Sequence, residues 1–385
     1  MLEETRMATA SIEAPPILRQ PGSGFADFTV TRRLPKIASG VVDALGGASR
    51  ARRAIEALVA DIIAGAPLDR SPLPPVTPFF DRYLADRRGA TWLDLPFFDL
   101  EFVFYLALNA IAGYFEGGPD IFQAARREAR EAALRTLPAG TAPVDLGERL
   151  WAALLGNEAD LSQMFKADPH ASPWRDRLVV DERPALLDRL AHLRPRAAIH
   201  ILADNAGTEL LADLLLVDAL LSEGDRRVVI YCKPWPMFVS DALIEDVGAT
   251  VEGLRAHPAG ARLRAALDDG RLQAHRHPNL GEPRHFDHLD ADLTAGLAGA
   301  DLVLAKGDLN YRRFTGDRDW PIDTPAAVAS RAVPFEAFAL RVLKSDTLVG
   351  ATPAAAARAT TLSASWRTDG THALVQRLGM RADGS

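Results

Sequence analysis

The stretch from Ala198 to Leu221 constrains the fold of this chain more than any other part of the sequence. It begins with the short apolar run AIHILA, which ends in Asp204-Asn205-Ala206-Gly207 and continues directly into a leucine-rich pattern with helical spacing. This order predicts a buried strand, a tight turn and a helix. In open α/β sheets, ligands bind outside the carboxyl ends of the strands. We therefore expect Asp204 and Asn205 at a ligand-binding edge of a sheet.

The polar side chains of this turn supply hard oxygen ligands. Asp204 and Glu209 carry carboxylates, and Asn205 carries an amide oxygen. These are groups that Mg²⁺ or Mn²⁺ binds in proteins. Asp and Asn are also preferred residues at helix N-caps. From this segment alone both interpretations stay open: Asp204 binds a metal ion, or it caps the helix.

Two later strand-like runs place more polar residues at the same predicted edge. The run from Arg227 to Cys232 leads into a loop that ends at Asp241, which takes the same topological place as Asp204, one strand along. A third run, Asp301 to Ala305, leads into a polar segment with these charged or amide side chains: Lys306, Asp308, Asn310 and Arg312. A cation site beside an anion site is what a metal-assisted reaction on a phosphate ester requires.

Four motifs, in this order along the chain, resemble those of the damage-control phosphatase family, which is also described as acidic-residue methyltransferase-like. They are GNEADLS from Gly156, DNAGTE from Asp204, FVSD from Phe238 and KGDLNYR from Lys306. The resemblance runs from about Leu34 to the end of the chain. It implies an α/β fold, with an all-helical N-terminal part packed on an α/β/α sandwich. It also implies a divalent metal (Mn²⁺, Co²⁺, Ni²⁺ or Mg²⁺) and hydrolysis of small phosphometabolites, such as fructose phosphates and other sugar phosphates.

The resemblance assigns roles to particular residues. Asp204, Asn205 and Asp241 align with the metal ligands and the catalytic centre. The residues implied in substrate binding are Glu209, Lys306, Asp308, Asn310, Arg312, Lys344, Asn157 and Asp160. A solvated charged loop is the alternative for the segment that begins at Lys306, and helix capping is the alternative for the segment that begins at Asn157. The attacking group is a metal-activated water or the Asp204 carboxylate, and the sequence does not choose between them.

Two departures from the family pattern bear on substrate range. The sugar-phosphate branch carries Arg-Thr-x-Lys near its C-terminus, whereas this chain has Val342 in place of the threonine, between Arg341 and Lys344. The family also tends to carry an arginine after a Glu-Cys-Tyr stretch, whereas the segment that begins at Glu101 continues to Leu106. Both changes leave the predicted metal ligands intact.

The composition excludes several classes of function. A formal net charge of −7 argues against nucleic acid as a partner. Nowhere does the sequence contain the roughly 18 consecutive apolar residues of a membrane span. The first 20 residues have no apolar core of a secretory signal, so we expect a cytoplasmic enzyme with a small phosphorylated substrate. The oligomeric state is not indicated. The single cysteine, Cys232, ends an apolar run and is expected in the core.

The pattern of elements predicts three regions: a loosely ordered arm over 1–31, a helical domain over 32–178 and an α/β/α phosphatase domain over 179–385. In the helical domain the first helix is predicted over 37–63. The strands are predicted over 198–203, 227–232, 249–253, 271–275, 301–305, 333–338, 346–350 and 372–376. The alternative function is an S-adenosylmethionine-dependent carboxyl methyltransferase. Against it, the turn after Ala203 lacks Gly-x-Gly and carries negative charge.

Overall fold

A mostly parallel sheet forms the centre of the computed structural model, which describes residues 14–46, 49–68, 77–137, 145–156 and 175–379. Its strands are β1 Leu178–Asp181, β2 Ala198–Leu202, β3 Arg227–Cys232, β4 Leu272–Arg276, β5 Leu302–Lys306, β6 Ala337–Val342 and β7 Ala373–Leu378. The spatial order is β1-β7-β6-β5-β2-β3-β4. Within this sheet only the pairing of β6 with β7 is antiparallel.

The strand order reverses direction between β2 and β5. From β2 the chain moves outward to β3 and β4, and it then returns to β5 on the other side of β2 before moving outward to β6. In open α/β sheets this switch point opens a crevice at the carboxyl ends of the strands. The turn after β2 and the segment after β5 both end in that crevice. The predicted site therefore lies where the topology leaves room for a ligand.

Helices cover both faces of the sheet. After the strands begin, they are α8 Arg183–Ala191, α9 Thr208–Ser222, α10 Ile244–Gly253, α11 Pro258–Asp268, α12 Ala291–Ala298, α13 Gly307–Thr315, α14 Ala326–Ala329 and α15 Pro353–Leu362. In β5, Leu302 and Leu304 pack in the core with α9, whereas Val303 and Ala305 pack in the core with α12 and α13. This alternation along a strand confirms the predicted α/β/α arrangement.

The N-terminal part is helical, as expected, and has its own core. Its helices are α1 Gly24–Phe28, a π-helical turn Thr29–Arg33, α2 Leu34–Ala44, α3 Ser49–Ala64, α4 Pro78–Ala85, α5 Phe97–Ile111, α6 Gln123–Thr136 and α7 Leu146–Leu155. Aromatic side chains of α5 dominate that core, which also includes Trp235, Met237 and Leu309 from the sheet region. The two parts therefore share buried apolar surface beside the crevice. The division into domains at residue 179 stays a prediction, and β1 already begins at Leu178.

The strand predicted over 249–253 is wrong, because these residues form the last part of α10. The Asp246 carboxylate accepts a hydrogen bond from the backbone N–H of Leu243 at 3.0 Å and so caps the start of the helix. Val247 and Val251 then share one buried helix face. The β-branched residues of this segment predict a strand if the helix cap is left out of the prediction.

Near the C-terminus, the predicted strand over 333–338 is displaced and the one over 346–350 is absent from the structure. β6 instead covers Ala337–Val342, and the later segment is a loop. The Arg341 guanidinium donates to the carbonyls of Thr347 at 2.6 Å and of Ser345 at 3.1 Å. These hydrogen bonds satisfy backbone groups that a strand would have paired in a ladder.

The prediction of a loose arm is wrong for residues 14–31, and the helix predicted over 37–63 is interrupted. Gly46 has a φ of 65° and follows the end of α2, before α3 begins at Ser49. In the arm, Arg19 donates to the Asp27 carboxylate at 2.8 Å and to the Ile62 carbonyl at 2.9 Å. These buried polar contacts tie the segment to α3. Sequence periodicity cannot reveal them.

Strand β2 and its neighbours agree with the prediction to within a residue or two at each end. Cys232 is buried at the end of β3, and burial raises the pKa of its thiol to about 12. In the part of the chain that the structure describes, no helix is long and apolar enough to cross a membrane.

Candidate active site

Backbone pairing brings the turn after β2 against the segment before α10. The Ala242 N–H donates to the Asp204 carbonyl at 2.8 Å. Asn205 and Asp241 form an isolated antiparallel bridge between the two segments. As a result Asp204, Asn205 and Asp241 line one wall of a cavity of about 190 Å³. The structure thus brings the three predicted metal ligands together.

The loop that delivers Asp241 has a strained backbone. The φ angle is 50° at Phe238 and 70° at Val239, a left-handed conformation that costs non-glycine residues on the order of 1–3 kcal/mol each. Helix α5 supports this loop: the Asn109 amide donates to the Pro236 carbonyl at 2.7 Å, and the Tyr105 and Phe238 ring centroids lie 4.7 Å apart. The helical part of the chain therefore helps to position a predicted metal ligand.

Hydrogen bonds orient the Asn205 amide. Its Nδ2 donates to Asp204 Oδ2 at 2.8 Å and to Glu209 Oε2 at 3.1 Å. Its Oδ1 accepts from the Ser240 hydroxyl at 2.5 Å. An amide oxygen has two lone pairs, so this Oδ1 keeps one for a second partner.

The carboxylates of the wall lie in an environment that disfavours negative charge. Burial, together with the negative charges of Glu209 and Asp241, raises the pKa of Asp204 well above its ordinary value. Burial also raises the pKa of Asp241, against the opposing effect of Lys233. The Lys233 ammonium lies 2.9 Å from Asp241 Oδ2 as an ion pair. Asp241 is buried, and this ammonium is an ion-pair partner within the part of the chain that the structure describes.

This donor set fits a divalent cation. Asp204 and Asp241 are buried carboxylates that line the same cavity, and two such groups side by side favour a positive charge between them. Carboxylate and amide oxygens are ligands that Mg²⁺ and Mn²⁺ take. In the described ranges, no group of three or more His, Cys, Asp or Glu is arranged to hold a metal ion. The third protein donor would therefore be the neutral amide of Asn205.

The segments after β5 and β6 form a second wall of the cavity, where Asp308 and Lys344 lie. Asp308 Oδ1 accepts from Arg341 Nε at 2.8 Å and from the Lys344 backbone N–H at 3.2 Å. Burial alone would raise the pKa of Asp308, but the charges of Arg341 and Arg312 outweigh it and hold the pKa below its ordinary value. Asp308 is therefore a fixed anion that positions the backbone of Lys344.

Arg312 also lines the cavity, and carboxylates surround its guanidinium. Its Nη1 donates to Glu101 at 2.7 Å, while Nε and Nη2 donate to Asp317 at 2.8 and 2.9 Å. Burial lowers the pKa of Arg312, but Asp317 and Glu101 reverse that effect and raise it well above the ordinary value. The arginine links α13 to α5 and keeps its charge in the cavity wall.

The sequence predicts Lys306 in the phosphate site, whereas the structure directs its ammonium elsewhere. Lys306 is 1% exposed and does not line the cavity. Its Nζ lies 3.0 Å from Glu209 and 2.9 Å from Asp213, and it donates to the Ala153 carbonyl at 2.5 Å. The two carboxylates outweigh the effect of burial and raise the pKa of Lys306 above its ordinary range. Lys306 therefore lies behind the site, where it balances buried negative charge.

Two other predicted substrate residues also lie behind the cavity. Glu209 contacts Asn205 and Lys306 and does not line the cavity. The Asn310 amide donates to the Lys306 carbonyl at 2.8 Å and to the Ala203 carbonyl at 3.2 Å, so it satisfies strand ends. Both residues position the site without reaching its surface. The predicted residues Asn157 and Asp160 lie outside the described residues.

The comparison with known families confirms the resemblance. The family model of the damage-control phosphatase ARMT1-like domain matches residues 29–358. The chain belongs to this family. Damage-control phosphatase ARMT1 of Danio rerio is 35% identical over 228 residues, which cover 56% of this chain and 50% of the relative. The protein of the same name from Homo sapiens is 33% identical over 206 residues, or 50% of this chain and 47% of the relative.

The chain therefore spans about half the length of the curated relatives that it matches. A crystal structure of a DUF89 family protein from Pyrococcus horikoshii has a similar fold, with a TM-score of 0.51. The two sequences are 17% identical, and the match covers 90% of this chain and 96% of that one. This likeness supports the fold and carries no information on substrate.

Both departures from the family pattern lie in apolar cores. Val342 packs in the core on the α9 side of the sheet, and Leu106 packs in the core of the helical part. Neither residue lines the cavity. Any influence on substrate range is therefore indirect. For Val342, that influence would pass through its neighbours in the retained Arg341 to Lys344 segment.

Several cavity-lining residues have no counterpart among those that the sequence singles out. Phe25 and Thr29 come from the segment predicted as an arm, Arg33 from the start of the predicted helical domain, Tyr105 from α5, and Ser240 from the loop before α10. Ser240 lies within the FVSD motif, so that motif could have indicated Ser240 as a site residue. The other four lie on helices whose contacts with the sheet depend on long-range packing.

Replacing Gly307 with alanine tests the close approach of α13 to Asp204. Gly307 has a φ of 79°, and a Cβ there would overlap the Asp204 carboxylate. Gly89 is a matched control, because its φ is 80° and a Cβ there meets nothing within 4 Å. Gly89→Ala should cost only the left-handed penalty of about 1–2 kcal/mol. Gly307→Ala should lower the free energy of unfolding by clearly more than Gly89→Ala does, as measured by denaturant titration. Equal losses would contradict the close approach.

Replacing Lys306 with methionine tests its role behind the site. Lys306→Met leaves the carboxylates of Glu209 and Asp213 without their buried cation, which should cost about 3–5 kcal/mol of unfolding free energy. Lys344→Met, at the cavity surface, should cost much less. Chemical denaturation of both variants, together with their affinity for inorganic phosphate, provides the measurement. A stable Lys306→Met protein with weakened phosphate binding would instead place Lys306 in the phosphate site.

Proposed function

We propose that this chain is a metal-dependent phosphatase that hydrolyses small phosphometabolites, with sugar phosphates such as fructose phosphates as its substrates. One observation carries the proposal: Asp204, Asn205 and Asp241 meet at the switch point of the sheet, in a cavity that Lys344 and Arg312 also line. Oxygen donors for a cation thus face basic side chains suited to an anion. Membership of the damage-control phosphatase family supports the same type of reaction.

In this proposal Asp204, Asn205 and Asp241 hold a divalent cation, such as Mn²⁺, Co²⁺, Ni²⁺ or Mg²⁺. Such a cation polarises a phosphoryl oxygen and neutralises charge that develops during the displacement. Lys233 partly offsets the charge of Asp241 from behind, and Asn205 is held by Ser240. The ligands are thus fixed before a substrate arrives, which lowers the cost of reorganisation.

The basic side chains have different tasks in the proposal. Lys344 neutralises charge on the phosphoryl oxygens, because it lies at the cavity surface. Arg312 contributes a fixed positive potential, because Glu101 and Asp317 already engage its guanidinium. Lys306 is a positioning residue, since it orients Glu209, which in turn holds Asn205.

Two routes of attack fit the arrangement. If water attacks in line, the ester P–O bond breaks as the new one forms, giving an alcohol and inorganic phosphate. If the Asp204 carboxylate attacks, the same bond breaks and an aspartyl phosphate forms, which water then hydrolyses. Acid quenching during turnover of a radiolabelled substrate distinguishes the routes. If the parent protein becomes labelled and the Asp204→Asn variant does not, the carboxylate route is supported.

Removal of the metal tests the proposal directly. Chelation should abolish phosphate release from a panel of sugar phosphates, and added Mn²⁺ should restore it. Asp241→Asn should weaken Mn²⁺ binding at least tenfold in calorimetric titration, because one anionic ligand becomes neutral. Asp188→Asn is the control, since Asp188 is exposed on α8. Full activity in chelator-treated protein would rule out the metal role.

A methyl-transfer assay with S-adenosylmethionine and an acidic protein acceptor should be run together with the phosphatase panel. The comparisons reported above give no support to the methyltransferase alternative, and we do not propose it. Phosphate release without methyl transfer is the expected outcome. The rank order of sugar phosphates in the same panel tests the proposed substrate class.

A further inference from the structure

The basic residues that line the cavity differ in how their charge is used. Arg312 donates three hydrogen bonds, of 2.7–2.9 Å, to Glu101 and Asp317. Arg33 also lines the cavity, but it is exposed and forms no hydrogen bond or ion pair with any residue in the described ranges. Its guanidinium lies 5.8 Å from the centroid of the Phe25 ring. Arg33 therefore presents N–H donors that no described residue accepts from.

Electrostatic effects place the Arg33 charge near two groups of the cavity wall. Burial raises the pKa of Glu101 and of Tyr105, and the positive charge of Arg33 opposes the rise in both. Glu101 is already paired with Arg312 at 2.7 Å. Arg33 thus faces the cavity interior without being bound by its carboxylates.

The π-helical turn explains why Arg33 faces the cavity. Phe25, Thr29, Arg33 and Ile37 follow one another at intervals of four residues, and all four line the cavity. They lie on a continuous helical run in which Thr29–Arg33 forms the π turn. Residues four apart drift round the axis of an α-helix, which has 3.6 residues per turn. The wider π turn reverses that drift and keeps the four side chains on one side.

The charge balance of the cavity favours an anionic partner for Arg33. In the proposed function, Asp204 and Asp241 bind a cation, and Arg341 and Arg312 flank Asp308. A planar guanidinium with free N–H groups matches the oxygens of a phosphoryl group in a bidentate manner. Four described carboxylates line the cavity, Glu101, Asp204, Asp241 and Asp308. The proposed cation, Arg312 and Arg341 already balance them, so a phosphoryl group is the anion that suits Arg33.

We propose that Arg33 is a substrate-binding residue that donates hydrogen bonds to the phosphoryl group from the helical part of the cavity lining, in the same cavity as the proposed metal ligands. This inference rests on the proposed phosphatase function and adds a residue that the motifs of the chain do not include. It gives the start of the predicted helical domain a part in substrate binding. Phosphate affinity should therefore depend on Arg33, and metal affinity should not.

The test compares Arg33→Gln with Arg32→Gln, which removes an exposed charge from the neighbouring position outside the cavity lining. The readouts are the Kd of inorganic phosphate for the Mn²⁺-loaded protein, the Kd of Mn²⁺, and KM and kcat for a phosphate ester that the parent protein hydrolyses. Arg33→Gln should weaken phosphate binding at least tenfold and raise KM, with Mn²⁺ affinity unchanged. Arg33→Lys should be intermediate, because it keeps the charge but loses the bidentate geometry. Arg32→Gln should match the parent protein.

The outcomes separate this inference from the function on which it rests. Unchanged phosphate affinity and KM in Arg33→Gln would overturn the role of Arg33, while turnover by the parent protein would leave the phosphatase proposal intact. An equal loss in Arg32→Gln would also overturn it, because general attraction by surface charge would explain the effect. The third outcome is that Arg33→Gln alone weakens phosphate binding but the parent protein hydrolyses no phosphate ester. In that case Arg33 still belongs to an anion site, and the phosphatase proposal is rejected.

Discussion

The backbone pairing between the turn after β2 and the segment before α10 is the interaction on which the site depends. It places Asp204 and Asp241 side by side at the only point where the order of the described strands reverses. The topology opens a crevice there, and the pairing determines which side chains face it. Two buried carboxylates in contact with the same cavity repel each other, so the arrangement is stable only if positive charge lies nearby.

The protein supplies part of that charge from behind the cavity. Lys233 pairs with Asp241, and Lys306 pairs with Glu209 and Asp213. Removing one partner of such a buried pair costs more than the pair itself contributes, because the remaining charge has lost its solvation. The pairs are therefore better understood as restraints on side-chain position than as sources of stability. Asp204 and Asp241 still line one cavity as buried carboxylates, and an external cation there would complete the balance.

Local patterns in the sequence predicted the ligands but not the supporting contacts. Asp204 and Asp241 could be placed because each follows a strand-like run, and the carboxyl ends of parallel strands share one edge. Lys306 could not be placed correctly from the same reasoning. It is the last residue of β5, and neighbouring side chains of a strand point to opposite faces. Its neighbour Gly307 approaches Asp204, while the Lys306 side chain extends towards α9.

Other parts of the prediction failed where long-range contacts decide the outcome. The valines of α10 favour a strand until the cap by Asp246 is considered. The order of residues 14–31 depends on buried hydrogen bonds from Arg19 to α3, more than forty residues along the chain. The position of Arg33 depends in turn on that order and on the π turn. A resemblance built on four motifs identified the family, since each motif is local, but it did not single out Arg33.

The helical part is more than a cover over the sheet, because it holds the geometry of the candidate metal site. The loop before Asp241 contains two residues with left-handed backbone, a conformation that surrounding contacts must maintain. Those contacts come from α5, through the Asn109 amide and the Tyr105 ring. The ion pair between Arg312 and Glu101 then connects the same helix to α13 on the opposite wall. A shift of α5 would therefore move both walls of the cavity, and the proposed metal ligands and the proposed phosphate-binding wall would change position together.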